Sequence, residues 1–178
     1  ELSAFCVGAI ERENLLDYAR IKPGDVVLGW PSNGFHSNGY SLIRSIIEAN
    51  FADFTPADIQ AILKPTRIYY KEVKAFADNK LAVKAMAHIT GGGMQDNFVR
   101  VLPKGLGGKL TLPKWKGAHI EKILKHVPLA DAMHSFNMGI GWVAVFNKDD
   151  AAKAQKLMPE AITLGEIREG ELTVEVAG

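Results

Sequence analysis

The sequence contains a single cysteine, Cys6, among its 178 residues. One thiol cannot close a disulfide within the chain, so a small disulfide-stapled fold is excluded and a reducing, cytoplasmic location is expected. Cys6 lies in the apolar run Phe5-Cys6-Val7. We therefore predict that it is a small buried residue and not a nucleophile.

Long apolar runs and long basic runs are missing as well. No stretch approaches the roughly 20 apolar residues of a membrane-spanning helix, so no membrane partner is predicted. Lysine and arginine number 21 against 20 aspartates and glutamates, and no basic, aromatic stripe indicates a nucleic-acid partner. The hydrophobic fraction of 47% and the charged fraction of 23% are ordinary for a globular protein, which predicts one domain with its own core.

The common signatures of metal and nucleotide sites are also absent from the sequence. It has no Gly-Lys-Ser/Thr phosphate loop, no G-x-G-x-x-G fingerprint and no H-E-x-x-H helix. His119, His126 and His134 lack the spacing and the partner residues of a metal site. We predict no metal ion held by protein ligands.

The chain begins at Glu1, without an initiator methionine, and enters a strand-like run at once. This start predicts that residues 1–178 are a single domain cut from a longer protein. The function would then be only partly carried by these residues.

Apolar periodicity predicts a mixture of strands and helices. Strands are predicted at 2–10, 26–30, 82–89, 107–112, 138–146, 161–167 and 171–176, the last two pairing as a hairpin over 168–170. Helices are predicted at 39–49, 57–64, 67–79, 94–102, 117–126, 128–135 and 151–157. The third helix should be capped by Thr66, with a core face of Ile68, Tyr69, Val73 and Phe76. Because strands and helices do not alternate strictly, the pattern favours an α+β domain.

The most informative stretch is Pro31-Ser32-Asn33-Gly34-Phe35-His36-Ser37-Asn38-Gly39-Tyr40, and we call residues 32–39 the first loop. It places two Ser/Asn-Gly units and a histidine between a predicted strand and a predicted helix. Such a turn presents backbone N–H groups at the helix N-terminus, where an anion can bind, and its glycines allow close approach. For either unit taken alone, a simple helix cap is the alternative.

A second stretch, His88-Ile89-Thr90-Gly91-Gly92-Gly93, has the same position between a strand and a helix. We call residues 90–93 the second loop. Three consecutive glycines are typical of a backbone anion cradle, and a flexible turn beside a core histidine is the alternative. His36 and His88 are candidate proton-transfer groups near neutral pH.

Three weaker signals accompany the two loops. The run Phe136-Asn137-Met138-Gly139-Ile140-Gly141 indicates a bulge or a close backbone contact. Arg100 could reach a phosphate or lie on a solvated helix face. Arg67 could serve a ligand or form a structural ion pair.

Five segments occur in a characteristic order: Gly24-Asp25-Val26-Val27-Leu28-Gly29, Ser32 through Leu42, Pro65-Thr66-Arg67-Ile68-Tyr69, His88 through Gly93, and Phe136 through Gly141. Together they resemble the C-terminal half of the aminoimidazole ribonucleotide synthetase family, also called phosphoribosylformylglycinamidine cyclo-ligases. The resemblance runs from Phe5-Cys6-Val7-Gly8 to Leu164-Gly165-Glu166-Ile167. Met133-His134-Ser135 departs from the residues usual in the family.

The resemblance implies an α+β fold of α/β/α layers with a mixed β-sheet. It implies an ATP-dependent cyclo-ligase that converts formylglycinamidine ribonucleotide to aminoimidazole ribonucleotide in de novo purine biosynthesis. ATP and Mg²⁺ would be bound mostly by an N-terminal half absent from this sequence, which would also form the homodimer. The implied partners are therefore the ribonucleotide substrate, ATP, the N-terminal domain and a second copy.

The resemblance also assigns roles to residues of this chain. His36 and His88 are the catalytic candidates. The substrate- or phosphate-binding candidates lie in the two loops and in the run Phe136–Gly141: Ser32, Asn33, Gly34, Ser37, Asn38, Gly39, Thr90, Gly91, Gly92, Gly93 and Asn137. Two alternatives stay open: a formylglycinamidine ribonucleotide synthetase-like domain, and a non-catalytic anion-binding or interaction module of the same fold.

Overall fold

A computed structural model describes residue 3 and residues 5–177. Its strands are β1 (Val26–Pro31), β2 (Ala85–His88), β3 (Leu106–Leu112), β4 (Ile140–Phe146), β5 (Ile162–Glu169) and β6 (Leu172–Val176). Its α-helices are α1 (Tyr40–Ala49), α2 (Pro56–Ile62), α3 (Tyr70–Asp78), α4 (Gly93–Phe98), α5 (Ala118–Leu124), α6 (Leu129–Ser135) and α7 (Lys148–Leu157).

The strands form one sheet in the order β2-β4-β1-β5-β3-β6. All neighbouring pairs are antiparallel except β3 and β6, which are parallel. The predicted α+β class and mixed sheet are therefore confirmed.

Each central strand contributes side chains to both faces of the sheet, because successive residues of a strand point to opposite sides. Val27 and Val143 face one apolar cluster, which is packed against α1, α2, α4, α5 and α6. Trp30 and Trp142 face a second cluster, packed against α3 and α7. The sheet thus lies between two helical layers, as predicted.

The predicted hairpin between the last two strands is wrong. β3 lies between β5 and β6 and pairs with both. Gly107 allows this close approach, since a Cβ there would lie 2.3 Å from the backbone of Glu171. The alternation of apolar residues predicted that these strands exist, but it did not predict which strands pair with each other.

The predicted strand at 2–10 is also wrong over the described residues, and residues 2 and 4 lie outside them. Residue 3 and residues 5–10 form neither strand nor helix, and short 3₁₀ turns follow at Arg12–Asn14 and Tyr18–Arg20. Phe5 is 94% exposed and Cys6 is exposed too, so the predicted burial of Cys6 is wrong. The segment has no strand partner within the described part of the chain, and an apolar strand needs one to be buried.

The start of the third helix differs from the prediction as well. α3 begins at Tyr70 and not at 67, and Thr66 bonds the hydroxyl of Ser37 (3.1 Å) instead of capping the helix. Tyr69 and Phe76 are buried as expected, but Ile68 is 82% exposed and Val73 is 38% exposed, so these two predictions are wrong. The first loop causes this later start of the helix, because its hydrogen bonds to residues 65–67 keep residues 65–69 outside the helix.

Other boundaries shift by a few residues. α7 begins at Lys148, earlier than predicted, because the side chain of Asn147 caps it by accepting from the N–H of Asp150. α4 ends at Phe98 and continues as a 3₁₀ turn over Val99–Val101.

Within residue 3 and residues 5–177, no helix is long and apolar enough to cross a membrane.

Candidate functional site

The first loop follows β1 and is fastened by one buried amide, that of Asn137. Its Nδ2 donates to the carbonyl of Gly34 (2.9 Å), and its Oδ1 accepts from the Ser32 hydroxyl (3.0 Å) and from the N–H of Gly139 (2.8 Å). The N–H of Ser32 also donates to the Gly139 carbonyl (2.8 Å). Asn137 therefore joins the loop to the turn before β4, and a fully buried amide with these bonds fixes both backbones.

His36 sits at the centre of the first loop with only 2% of its surface exposed. Its Nε2 accepts two long hydrogen bonds, from the N–H groups of Asn33 and Arg67 (3.4 Å each). This assigns the proton of the neutral ring to Nδ1, which has no partner within the described residues. Burial, with smaller contributions from His88 and Arg67, lowers the pKa of His36 from 6.5 to about 4. The ring is therefore neutral at physiological pH.

The two predicted histidines lie together, and a tyrosine completes the group. The ring centroids of His36 and His88 are 6.2 Å apart, and Tyr69 lies 6.3 Å from His36 and 6.1 Å from His88. We call these three rings the ring cluster. Gly141 makes room for it, because a Cβ there would lie 2.1 Å from the Tyr69 hydroxyl and 2.5 Å from Cε1 of His36.

His88 differs from His36 in its access to solvent. It is the last residue of β2 and is exposed. Partial burial of the ring lowers the pKa of His88 below its ordinary value. An exposed imidazole that is neutral near pH 7 can accept a proton, which the buried ring of His36 cannot do readily.

Sequence reasoning missed the ion pairs that hold the ring cluster in place. The Arg67 guanidinium pairs with Glu72 and Glu160, donates to the Pro31 carbonyl (3.1 Å) and lies 5.0 Å from the centre of the Tyr69 ring. Of the two roles left open for Arg67, the structure shows the ion pair. Glu160 could not have been found from sequence, because it is 93 residues away from Arg67.

Tyr69 was predicted only as a core residue. Its hydroxyl donates to the Pro31 carbonyl (3.0 Å), and burial raises its pKa, so the phenol stays protonated. The aromatic ring that borders both histidines thus also anchors the end of β1.

The second loop is fastened by Asn97 of α4. Its Nδ2 donates to the carbonyls of Gly91 (3.1 Å) and Gly93 (2.8 Å), and its Oδ1 accepts from the Thr90 hydroxyl (3.0 Å). The N–H groups of Gly91 and Gly92 have no acceptor within the described residues. The loop can therefore offer two backbone donors to a ligand.

A negative charge lies beside those donors. A Cβ on Gly92 would be 2.6 Å from Oδ2 of Asp96, so this carboxylate lies against the loop. Arg100, which the sequence suggested for phosphate binding, is exposed and makes no ion pair within the described residues. The negative charge of Asp96 therefore disfavours the binding of an anionic ligand at the second loop.

Both loops contact the same short segment at the end of α6. A Cβ on Gly39 would lie 2.4 Å from the Phe136 ring, and one on Gly93 would lie 1.9 Å from the Met133 carbonyl and 3.2 Å from that of Phe136. Phe136 is fully buried. The two loops therefore pack against the same segment at the end of α6.

The remaining predicted residues take more peripheral positions. Ser37 and Asn33 are exposed, and the Asn33 amide donates to the carbonyl of Pro65 (2.9 Å). Asn38 is half-buried. In the described part of the chain, no group of three His, Cys, Asp or Glu side chains could hold a metal ion.

Comparisons with known proteins agree with this architecture. A family model described as "AIR synthase related protein, C-terminal domain" matches residues 22–177. The chain belongs to this family. The membership predicted from the five sequence segments is confirmed.

Two similar curated relatives carry the same name. The chain is 38% identical over 179 residues to a phosphoribosylformylglycinamidine cyclo-ligase of Desulfitobacterium hafniense, covering 94% of this chain and 52% of the relative. It is 45% identical over 171 residues to that of Paraburkholderia phymatum, covering 90% and 47%. The chain thus spans about half the length of the curated relatives it matches.

Two solved structures share the fold at low sequence identity. HypE of E. coli, a hydrogenase maturation protein, matches with a TM-score of 0.56 and 19% identity over 96% of this chain and 51% of that protein. Thiamine-monophosphate kinase of Stenotrophomonas maltophilia matches with a TM-score of 0.58 and 15% identity over 95% and 55%.

Proposed function

We propose that this chain is the C-terminal domain of an ATP-dependent cyclo-ligase that converts formylglycinamidine ribonucleotide to aminoimidazole ribonucleotide. The observation that carries the proposal is that the sequence aligns with the halves of proteins named cyclo-ligases at 38–45% identity. Both glycine loops also pack against the same segment at the end of α6. The chain's length relative to those proteins supports a longer enzyme in which another half completes the site.

The proposed reaction has two steps. The formamide oxygen of the substrate attacks the γ-phosphorus of ATP, forming an O–P bond as the bond to ADP breaks. A nitrogen of the same substrate then attacks the activated carbon, the C–O bond to phosphate breaks, and the imidazole ring closes. The attacking nitrogen must lose a proton for the ring to become aromatic.

The geometry favours different tasks for the two histidines. His88 is exposed beside the ring cluster and neutral at physiological pH, which suits a base that removes the proton from the attacking nitrogen. His36 is buried, with Nε2 engaged by two backbone N–H groups, so we assign it to positioning the first loop.

ATP, Mg²⁺, the homodimer and a cytoplasmic location belong to the proposal for the longer enzyme. The described residues contain no group of three His, Cys, Asp or Glu side chains that could hold a metal ion, and no step is assigned to a metal held by this chain. We propose that the N-terminal half binds most of the ATP and Mg²⁺ and forms most of the dimer contact.

The test is a steady-state assay of the longer protein that ends in this domain. Given ATP and formylglycinamidine ribonucleotide, it should form ADP and aminoimidazole ribonucleotide, whereas the 178-residue chain alone should be inactive. His88→Asn should lower kcat by roughly 100-fold with a small change in KM. His126→Asn, which changes an exposed histidine outside the ring cluster, is the matched control and should leave both constants unchanged.

Three other results of these experiments would support an alternative function or a different proton acceptor. If the longer protein makes no aminoimidazole ribonucleotide but aminates formylglycinamide ribonucleotide, the synthetase-like alternative is correct. If it binds anions without turnover on either substrate, the chain is a non-catalytic module. If the enzyme works but His88→Asn keeps kcat within a few-fold, the proton transfer does not involve His88.

A further inference from the structure

A cleft of about 340 Å³ opens between the first loop and a segment that neither glycine motif includes. One wall is Ser32–Gly34 of the loop, and the other is the connection from β3 to α5, with Lys114, Trp115 and Lys116. We call it the lysine cleft. Its volume lies within the range of small-molecule sites.

The charge in the cleft has one sign. Lys114 and Lys116 both line it, and no aspartate or glutamate does so within the described residues. Neither lysine has a carboxylate within 4 Å in the described part of the chain. Two ammonium groups that no carboxylate neutralises attract a dianion.

The two lysine side chains are exposed, but the backbone of both walls is held by packing and hydrogen bonds. Trp115, between the two lysines, packs edge to face on Phe35 (centroids 4.8 Å apart) and lies so close to Gly139 that a Cβ there would be 2.8 Å from the indole. The opposite wall is the backbone that buried Asn137 fastens through Ser32 and Gly34. Fixed walls reduce the ordering cost of binding.

The cleft adjoins the ring cluster through Pro31 and Asn33. Pro31 lines the cleft, and its carbonyl accepts from the Tyr69 hydroxyl. Asn33 lines the cleft, and its N–H donates to Nε2 of His36. A ligand held in the cleft by one end therefore lies beside the loop that carries His36.

We propose that the lysine cleft binds the phosphate group of a phosphorylated small molecule. Lys114 and Lys116 donate charge-assisted hydrogen bonds to the phosphate oxygens, and the backbone of the first loop lies against the rest of the ligand. That this ligand is the ribose 5-phosphate end of a ribonucleotide substrate rests on the proposed function, whereas binding of a phosphate monoester does not.

The test is calorimetric titration of the 178-residue chain with ribose 5-phosphate, with inorganic phosphate and with ribose. Ribose 5-phosphate and phosphate should bind and ribose should not. The double variant K114Q/K116Q should weaken the Kd for ribose 5-phosphate by roughly 10-fold or more. The matched control K22Q/K104Q removes the same charge from two exposed lysines outside the cleft and should change the Kd less than 2-fold.

Two results would overturn the proposal. One is an unchanged Kd for K114Q/K116Q in a protein whose circular dichroism matches the wild type. The other is an equal loss in both double variants, which would show only an effect of net charge. Neither result depends on ATP or on ring closure, so the proposed function is tested separately by the assay of the longer protein.

Discussion

The two glycine loops look alike in sequence but differ in their surroundings. Each follows a strand, precedes a helix and is fastened by a buried asparagine, Asn137 for the first and Asn97 for the second. The first loop borders a cleft with two unpaired lysines, whereas the second has the carboxylate of Asp96 against it. A glycine pattern thus predicts where the backbone can approach a ligand, and the neighbouring charges decide which ligand it attracts.

The largest effect is expected from a side chain in the second loop at the point where it meets α6. Gly93 has φ of +62°, and a Cβ there would lie 1.9 Å from the carbonyl oxygen of Met133. Gly93→Ala should therefore lower the free energy of unfolding by roughly 4 kcal/mol or more, because backbone must move. Urea unfolding of the 178-residue chain measures this loss.

Gly91→Ala is the matched control within the same loop. A Cβ on Gly91 meets nothing within 4 Å and the residue needs no positive φ, so the variant should keep its stability within about 1 kcal/mol. Equal losses at both positions would show that the loop is sensitive to any change, and that its fit against Met133 is unimportant.

A somewhat smaller effect is expected from pH, which should change the free energy of unfolding through His36 of the first loop. In the unfolded chain His36 takes up a proton near pH 6.5, but in the fold only near pH 4. Between these values the unfolded state binds more protons, so the free energy of unfolding falls as the pH falls from 6.5 through 4. Over this whole range, the titration of His36 should lower the free energy of unfolding by about 3 kcal/mol.

Unfolding experiments from pH 7 to pH 4 on His36→Asn test this contribution. The variant should lose much of the slope, whereas His126→Asn, at an exposed position, should keep it. His88 adds a contribution of the same sign, since burial lowers its pKa too. A slope that His36→Asn leaves unchanged would show that the ring is not held neutral by the first loop.

Local patterns predicted much of this fold, and long-range contacts explain what they missed. Apolar alternation located the central strands, but the insertion of β3 between β5 and β6 depends on pairing partners that alternation does not specify. The strand predicted at 2–10 needs a partner that the described chain does not supply.

Some residues of the candidate site could likewise be predicted from local sequence, whereas others could not. His36, His88 and the glycines follow from residue type and spacing in sequence. Glu160 and the lysine cleft do not, because they reach the first loop from segments far away in the chain. The short run Pro113-Lys114-Trp115-Lys116-Gly117 does carry a signal, an aromatic residue between two lysines in a loop.

One measurement tests most directly whether the first loop, and not the second, adjoins the phosphate. The ¹⁵N-labelled chain has three tryptophan indole signals, and Trp30 and Trp142 lie buried in the apolar cluster on the α3 and α7 side of the sheet, as internal references. On titration with ribose 5-phosphate, the Trp115 indole and the Gly139 amide should shift, while the Gly91 and Gly92 amides stay in place. Shifts at Gly91 and Gly92 with an unmoved Trp115 would contradict the account.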